Sequence, residues 1–157
     1  MKMVRSKPYK YEECGLDNVW LVGGVEYVAT PRGNGAVVRD REGLHRVIGD
    51  ILVREKKNLS GKEFRFLRHE INITQQNLAS LLGTDVQAIG RWEREETERP
   101  IPGPAQRIIR LLYEEKVNGN NSIIEPLERL AELDEEFGND EEIKLEDTSE
   151  GWAREAA

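Results

Sequence analysis

Two side chains able to read base edges in duplex DNA, Gln87 and Arg91, stand four residues apart in this sequence. A glutamine amide pairs bidentately with adenine N6 and N7, and an arginine fork does the same with guanine O6 and N7; each such pair discriminates by about 1 to 3 kcal/mol. Four residues is roughly one helical turn, so on a helix both side chains face the same groove. The stretch around them, Thr74 to Glu93, reads TQQNLASLLGTDVQAIGRWE, and nearly every position in it has a physical job. Thr74 is suited to cap a helix. Leu78 and Leu82 fall one turn apart on its inner face, and Ala79 is small where a crossing helix must come close. Gly83 supplies the left-handed backbone that ends the helix. Asp85 caps the next helix, on which Ile89 and Trp92 turn to the core while Val86, Gln87, Gly90, Arg91 and Arg94 stay outward. Gln75, opening the first helix, is placed to donate to a phosphate with the positive end of the helix dipole behind it. With Gln76 and Asp85 these residues form the expected DNA-binding set, in which Gln87 and Arg91 are the base readers.

Plainer readings compete at most other positions. The same helices would serve equally for protein contact, although an inert surface has no need of Gln75, Gln87 and Arg91 together. Trp92, three residues from Ile89, reads as core and not as a stacking platform. Cys14 reads as a small, half-buried apolar residue, since no neighbouring His or basic cluster would lower its pKa. His45 and His69 read as ordinary helix residues, and one cysteine with two distant histidines cannot build a four-ligand zinc site, so no metal is expected. Gly33-Asn34-Gly35 lacks the Lys-Ser/Thr ending and the strand-to-helix setting of a phosphate loop and reads as a turn. Glu93, Glu95, Glu96 and Glu98 read as a solvated loop, with no nucleophile in adjacent sequence to suggest catalysis. The expectation is a binding protein with no enzymatic activity and no cofactor.

The elements that must position these residues are legible from periodicity and punctuation. Val19 to Val22 and Val25 to Val28 are β-branched and aromatic runs separated by Gly23-Gly24, the spacing of a two-residue hairpin. Thr30 to Gly35 reads as a loop and Ala36 to Val38 as a third strand. From Glu42 to Arg54, Leu44, Val47, Ile48, Ile51 and Leu52 recur at spacings of three and four, which predicts an amphipathic helix packed on that sheet. Lys56 to Gly61 is polar and reads as a linker, and Ser60 with Glu63 has capping-box spacing. Four short helices follow within residues 61 to 116: one marked by Phe64, Leu67 and Ile71, then Thr74 to Leu82, Val86 to Glu95, and Ala105 to Lys116. A fifth is expected from Ile123 to Phe137, where Pro126 is tolerable only in the first turn. The fold class is therefore α+β. A small antiparallel sheet plus helix spans 11–55, an all-α helix-turn-helix domain with a C-terminal helix spans 59–137, and an acidic tail without regular structure spans 138–157. Within the tail, Ile143, Leu145 and Trp152 are the residues able to dock a short extended piece.

Charge is divided unevenly along the chain. Its net charge is -7, yet residues 117–157 hold 13 Asp and Glu against 3 Lys and Arg, leaving the first 116 residues weakly basic. That division removes the objection an acidic protein would otherwise raise to phosphate binding. No stretch approaches the roughly 18 apolar residues of a membrane span and no apolar segment follows the basic start, so no membrane partner and a cytoplasmic location are expected.

The segment from Thr74 to Glu93 resembles the XRE helix-turn-helix, of Cro and phage-repressor type, in the Gln opening its first helix, the Leu-Ala pair, the Leu-Gly turn and the Arg-Trp-Glu close. The longer chain is similar to zinc-less relatives of the MqsA antitoxin family through Cys14-Gly15-Leu16-Asp17-Asn18-Val19, Gly43-Leu44-His45 and Leu59-Ser60-Gly61-Lys62-Glu63. The chain departs from those patterns in lacking the zinc-binding cysteine pairs, in carrying Asp85 where Ser or Thr is usual, and in placing Gly90 inside a helix at a cost of about 1 kcal/mol. The first resemblance puts Gln87 and Arg91 on base-contacting positions; because one recognition helix covers only a few base pairs, a homodimer on a two-fold operator is expected, acting as an autorepressor. The second implies an antitoxin whose residues 11–55 hold a toxin protein while the helix-turn-helix regulates the operon.

Overall fold

A computed structural model describes residues 7–136 and 142–155. The chain begins with β1 (Tyr9–Lys10) paired antiparallel to β2 (Trp20–Leu21), followed by a separate antiparallel ribbon of β3 (Val25–Thr30) and β4 (Gly33–Val38). The hairpin expected across Gly23-Gly24 does not form. Both glycines have positive φ, 81° and 72°, but they carry the chain from one ribbon to the next. β3 instead folds back through Pro31-Arg32 into a six-pair ladder that takes in the expected third strand, 36–38. Pro31 presets the turn dihedral, and the Thr30 hydroxyl donates to the Gly33 carbonyl at 2.5 Å. The longer ladder leaves fewer backbone groups unpaired than Val19–Val22 against Val25–Val28 would.

Helix α1 (Arg41–Arg54) starts on Asp40, whose carboxylate accepts from Gly43 N at 3.2 Å. Its buried residues are Ile48, Gly49, Leu52 and Val53. Val47 and Ile51, counted in the same stripe by periodicity, are exposed, because α1 packs on later helices and leaves the side toward these residues uncovered. Helix α2 (Gly61–Ile71) opens with both halves of the capping box: Glu63 N donates to Ser60 Oγ at 3.2 Å and Ser60 N to Glu63 Oε1 at 2.8 Å. Glu63 is buried by this role, and its other oxygen faces Lys56 Nζ at 3.2 Å. Helices α3 (Gln75–Leu82), α4 (Val86–Glu93), α5 (Gly103–Asn118) and α6 (Ile124–Glu136) follow, giving six among the described residues. Gly83, at φ 68°, closes α3 in the left-handed conformation a side chain would resist.

α2 and α5 form the centre, with α1 packed against both. Phe64, Leu67, Leu78, Ile89 and Ile109 are fully buried, and the same cluster takes in Tyr11 and Leu16 from the N-terminal loop and Ile48 and Leu52 from α1. The core is therefore continuous across the expected boundary between 11–55 and 59–137. Arg110 reinforces it by donating to the carbonyls of Leu52 and Val53, both at 2.9 Å, which satisfies orphan acceptors at the C-terminal end of α1. α6 lies along α3. Pro126 sits in its first turn, and the buried carboxylate of Glu115 on α5 accepts from Ile123 N and Ile124 N, capping it from a neighbouring helix.

Residues 145–154 depart from the expected unstructured tail, of which 138–141 and 156–157 lie outside the described residues, as does Phe137 at the expected helix end. β5 (Leu145–Thr148) pairs antiparallel with β6 (Gly151–Arg154) through Ser149-Glu150, with Gly151 at φ 109° and the Thr148 hydroxyl donating to its carbonyl at 2.7 Å. Trp152 does not dock on the helices. Among the described residues no helix is long and apolar enough to cross a membrane.

Close helix approach yields a direct test. A Cβ on Gly61 would lie 2.0 Å from the Trp92 carbonyl oxygen, whereas one on Gly103, also helical, meets nothing within 4 Å. Gly61→Ala is expected to destabilise by about 1 to 3 kcal/mol in urea unfolding, and Gly103→Ala to stay within about 0.5 kcal/mol. Equal effects would contradict the packing of α2 on the end of α4.

Candidate functional site

Three polar side chains from three helices meet below the outer face of α4. Arg68 on α2 and Glu93 at the end of α4 are each 7% exposed. Their pairing is bidentate, Nε to Oε2 at 2.7 Å and Nη2 to Oε1 at 2.8 Å. Gln75 Nε2 adds a bond to Glu93 Oε1 at 3.0 Å, and Arg68 Nη1 reaches the Ile73 carbonyl at 3.0 Å. Charge-assisted, bidentate bonds of this length are the strong kind, and the geometry of the fork fixes orientation as well as distance. The cluster therefore sets α3 and α4 on α2 as one unit.

Two expectations change here. Glu93 is a buried structural anchor and no part of a solvated acidic loop, because it terminates α4 where the helix faces Arg68. Gln75 is half-buried with its amide turned to Glu93. An amide nitrogen carries two hydrogens, so one donor of Gln75 remains for an external acceptor.

The other candidate residues divide by exposure. Gln76, Gln87 and Arg91 are exposed, and Arg91 makes no ion pair within 4 Å among the described residues. Asp85 caps α4 as expected, its carboxylate accepting from Ala88 N at 2.7 Å, which engages the charge with the helix terminus. Val86 is half-buried. Gly90 lies on the outer face but is covered there: the exposed Arg94 guanidinium lies across it, and a Cβ there would be 2.9 Å from Arg94 Nη1. Arg94 is exposed but paired to Glu96 at 2.8 Å, which raises its pKa further and lowers that of Glu96. Ile89 is fully buried, and half-buried Trp92 meets Phe64 edge to face at 5.9 Å.

A second polar cluster joins the N-terminal loop to the helices. His45 Nε2 lies 2.8 Å from the Tyr11 hydroxyl and Nδ1 lies 3.0 Å from Glu70 Oε1, with Phe66 edge-on at 5.4 Å. His45 is thus a half-buried tie, and not the free helix residue its position suggests. Burial raises the pKa of Tyr11 and of Cys14, so the Cys14 thiol stays protonated at neutral pH and weakly nucleophilic. An open cleft of about 720 Å³ separates residues 13–15 from α2 and the end of α4. Two of its cations are paired with carboxylates, Lys62 with Asp17 at 2.9 Å and Arg94 with Glu96 at 2.8 Å. Among the described residues no three His, Cys, Asp or Glu side chains gather around a common point.

Sequence reasoning missed Arg68, Tyr11 and Glu70. Only Arg68 left a trace, as a charged residue on the helical stripe that also carries Phe64 and Ile71. Compared with protein-family models, curated proteins and solved structures, the chain matches none.

Removing one member of a buried pair leaves an uncompensated charge and costs about 3 to 5 kcal/mol, whereas an exposed pair contributes at most about 1 kcal/mol. Glu93→Gln is accordingly expected to lower unfolding free energy by about 3 to 5 kcal/mol, and Glu96→Gln by less than about 1 kcal/mol. A small effect of Glu93→Gln in chemical denaturation would show that the pair does not hold α4 in place.

Proposed function

We propose that α3 and α4 work as a helix-turn-helix that binds double-stranded DNA, with α4 in the major groove, making the protein a non-enzymatic, sequence-specific transcriptional regulator that represses its own promoter. The observation carrying this reading is the exposed, unpaired Gln87 and Arg91 on a helix whose opposite face is fixed by Arg68, Glu93 and the core residue Ile89. A reader needs side chains free to pair with bases on a backbone that does not move when they do, since ordering the helix at the moment of binding would subtract from affinity. Gln76, with the remaining donor of Gln75, sits at the start of α3, where backbone N–H groups and the helix dipole favour a phosphate. The resemblance to the XRE helix-turn-helix adds to this reading.

One recognition helix covers only a few base pairs, and a two-fold dimer on half-sites about 34 Å apart makes up the shortfall. Of the apolar residues on α5 and α6, Ile109, Leu112 and Tyr113 belong to the core. The exposed ones are Leu111, Leu130 and Leu133.

A second role is compatible with the first. Trp20, Val22, Tyr27 and Val37 are exposed apolar residues on or beside the N-terminal ribbons, Tyr27 and Val37 on opposite faces of one of them, and such exposed apolar groups suit contact with another protein. This favours the antitoxin reading, in which that part of the chain holds a toxin while the helix pair regulates the operon. Co-purification with a short basic protein from the adjacent reading frame, lost on Trp20→Ser with Tyr27→Ser, tests it.

Gln87→Ala and Arg91→Ala are each expected to weaken operator binding by about 1 to 3 kcal/mol while leaving affinity for random-sequence DNA nearly unchanged. Equal losses on both DNAs in a mobility-shift titration would remove the base-reading roles. Light scattering at tens of micromolar should give twice the chain mass, with a dimer on each operator. A monomer bound one to one would contradict the two-fold arrangement.

A further inference from the structure

The ribbon of β5 and β6 is incomplete by its own side chains. Its register pairs Leu145 with Arg154 and Asp147 with Trp152. Directly paired residues share a face, so Leu145 and Trp152 stand diagonally together with Asp147 and Arg154 beside them, and Ile143, two residues before Leu145, follows the same alternation. All three are exposed, Leu145 by 58%, Trp152 by 74% and Ile143 by 86%. Two strands alone are at best marginally stable in water; a third strand or a covering layer is what normally buries such a face.

The backbone shows where a third strand fits. Glu155 N donates to the Lys144 carbonyl at 2.9 Å. Backbone groups in an antiparallel pair alternate between facing the partner and facing away. Those of Leu145 and Asp147 therefore point away from β6, to an edge with no strand on it among the described residues. β5 carries no proline to block that edge. Its charges select the occupant: residues 142–155 hold Glu142, Glu146, Asp147, Glu150 and Glu155 against Lys144 and Arg154. Such a surface repels nucleic acid and a second copy of itself, and attracts lysine and arginine.

We propose that β5 is the docking edge for an extended, lysine- or arginine-rich segment of another protein. The alternate apolar residues of that segment stand beside Ile143 and Leu145 and reach the long Trp152 ring diagonally across β5, and its basic residues meet Asp147 on that face and Glu146 on the other. Strand addition draws affinity from the main chain and specificity from alternate side chains. Trp152, large and rigid, is the central anchor. This contact is separate from the α4 face and from the N-terminal ribbons.

The test uses the full chain and a synthetic peptide alternating lysine and valine, with a lysine and serine peptide as the charge-only control. Subtracting the emission of Trp152→Phe isolates Trp152 from Trp20 and Trp92. The expected result is a blue shift and acrylamide protection of Trp152, with half-saturation by the valine peptide about ten-fold lower than by the serine peptide. Leu145→Asp should abolish the difference between peptides. Glu146→Lys, which leaves the apolar face intact, should weaken binding of both. Equal binding of the two peptides to the unaltered chain would reduce the site to charge attraction and overturn the proposal. Protection of Trp152 in the free chain would overturn it in favour of docking on the chain itself or a second copy, and a matching shift on adding duplex DNA would overturn it in favour of a nucleic-acid contact.

Discussion

Arg68 and Glu93 are buried against each other where α2 passes the end of α4, and the outer face of α4 takes its direction from that contact. Desolvating two charges costs several kcal/mol each, and the cost is recovered only because the fork is bidentate and its remaining polar atoms are met by Gln75 and the Ile73 carbonyl. An apolar pair of the same volume would hold the helices as firmly but allow them to slide. The forked pair ties the end of α4 to α2 in an orientation that leaves Gln87 and Arg91 in solvent and Ile89 in the core.

The same economy of space recurs at the helix ends. Gly61 lets the start of α2 come within contact of the Trp92 carbonyl, and Gly49 lets α1 approach Tyr113 on α5, where a Cβ would meet the hydroxyl at 2.0 Å. Both are glycines because of a neighbour's position, with no left-handed backbone involved. Through them, and through His45 between Tyr11 and Glu70, the N-terminal segment and α1 share one core with the helices that follow. A change in the N-terminal loop has a short physical route to α2, and from there to α4.

What remains outside this core is apolar but uncovered: Trp20 and Tyr27 on the first ribbons, Leu130 and Leu133 on α6, Leu145 and Trp152 on the last ribbon. Each group lies on a two-stranded ribbon or a single helix flank, elements that cannot bury both faces unaided. The acidic C-terminal ribbon and the exposed Arg91 on α4 are opposite in charge.

The sequence by itself determined the helices from α2 to α5 and the starts of the first three, because their signals are local, whereas α4 stops at Glu93, short of the expected Glu95, and α5 spans Gly103–Asn118, longer at both ends than the expected 105–116. Ser60 with Glu63, Thr74, Asp85 and Gly83 each act within four residues, and a bond across one turn forms whatever the rest of the chain does. Gln87 and Arg91 were legible for the same reason, as residues left over when the inward positions of α4 are assigned. The tertiary structure alone decided which strands pair, since Val25–Thr30 had two neighbours of similar composition and the longer ladder prevailed. It also decided that Glu93 is buried with Arg68, 25 residues away, that Gly90 lies beneath Arg94, and that Val47 and Ile51 stay in solvent. Those outcomes depend on what arrives on the far side of each residue, and periodicity along the chain carries no information about that.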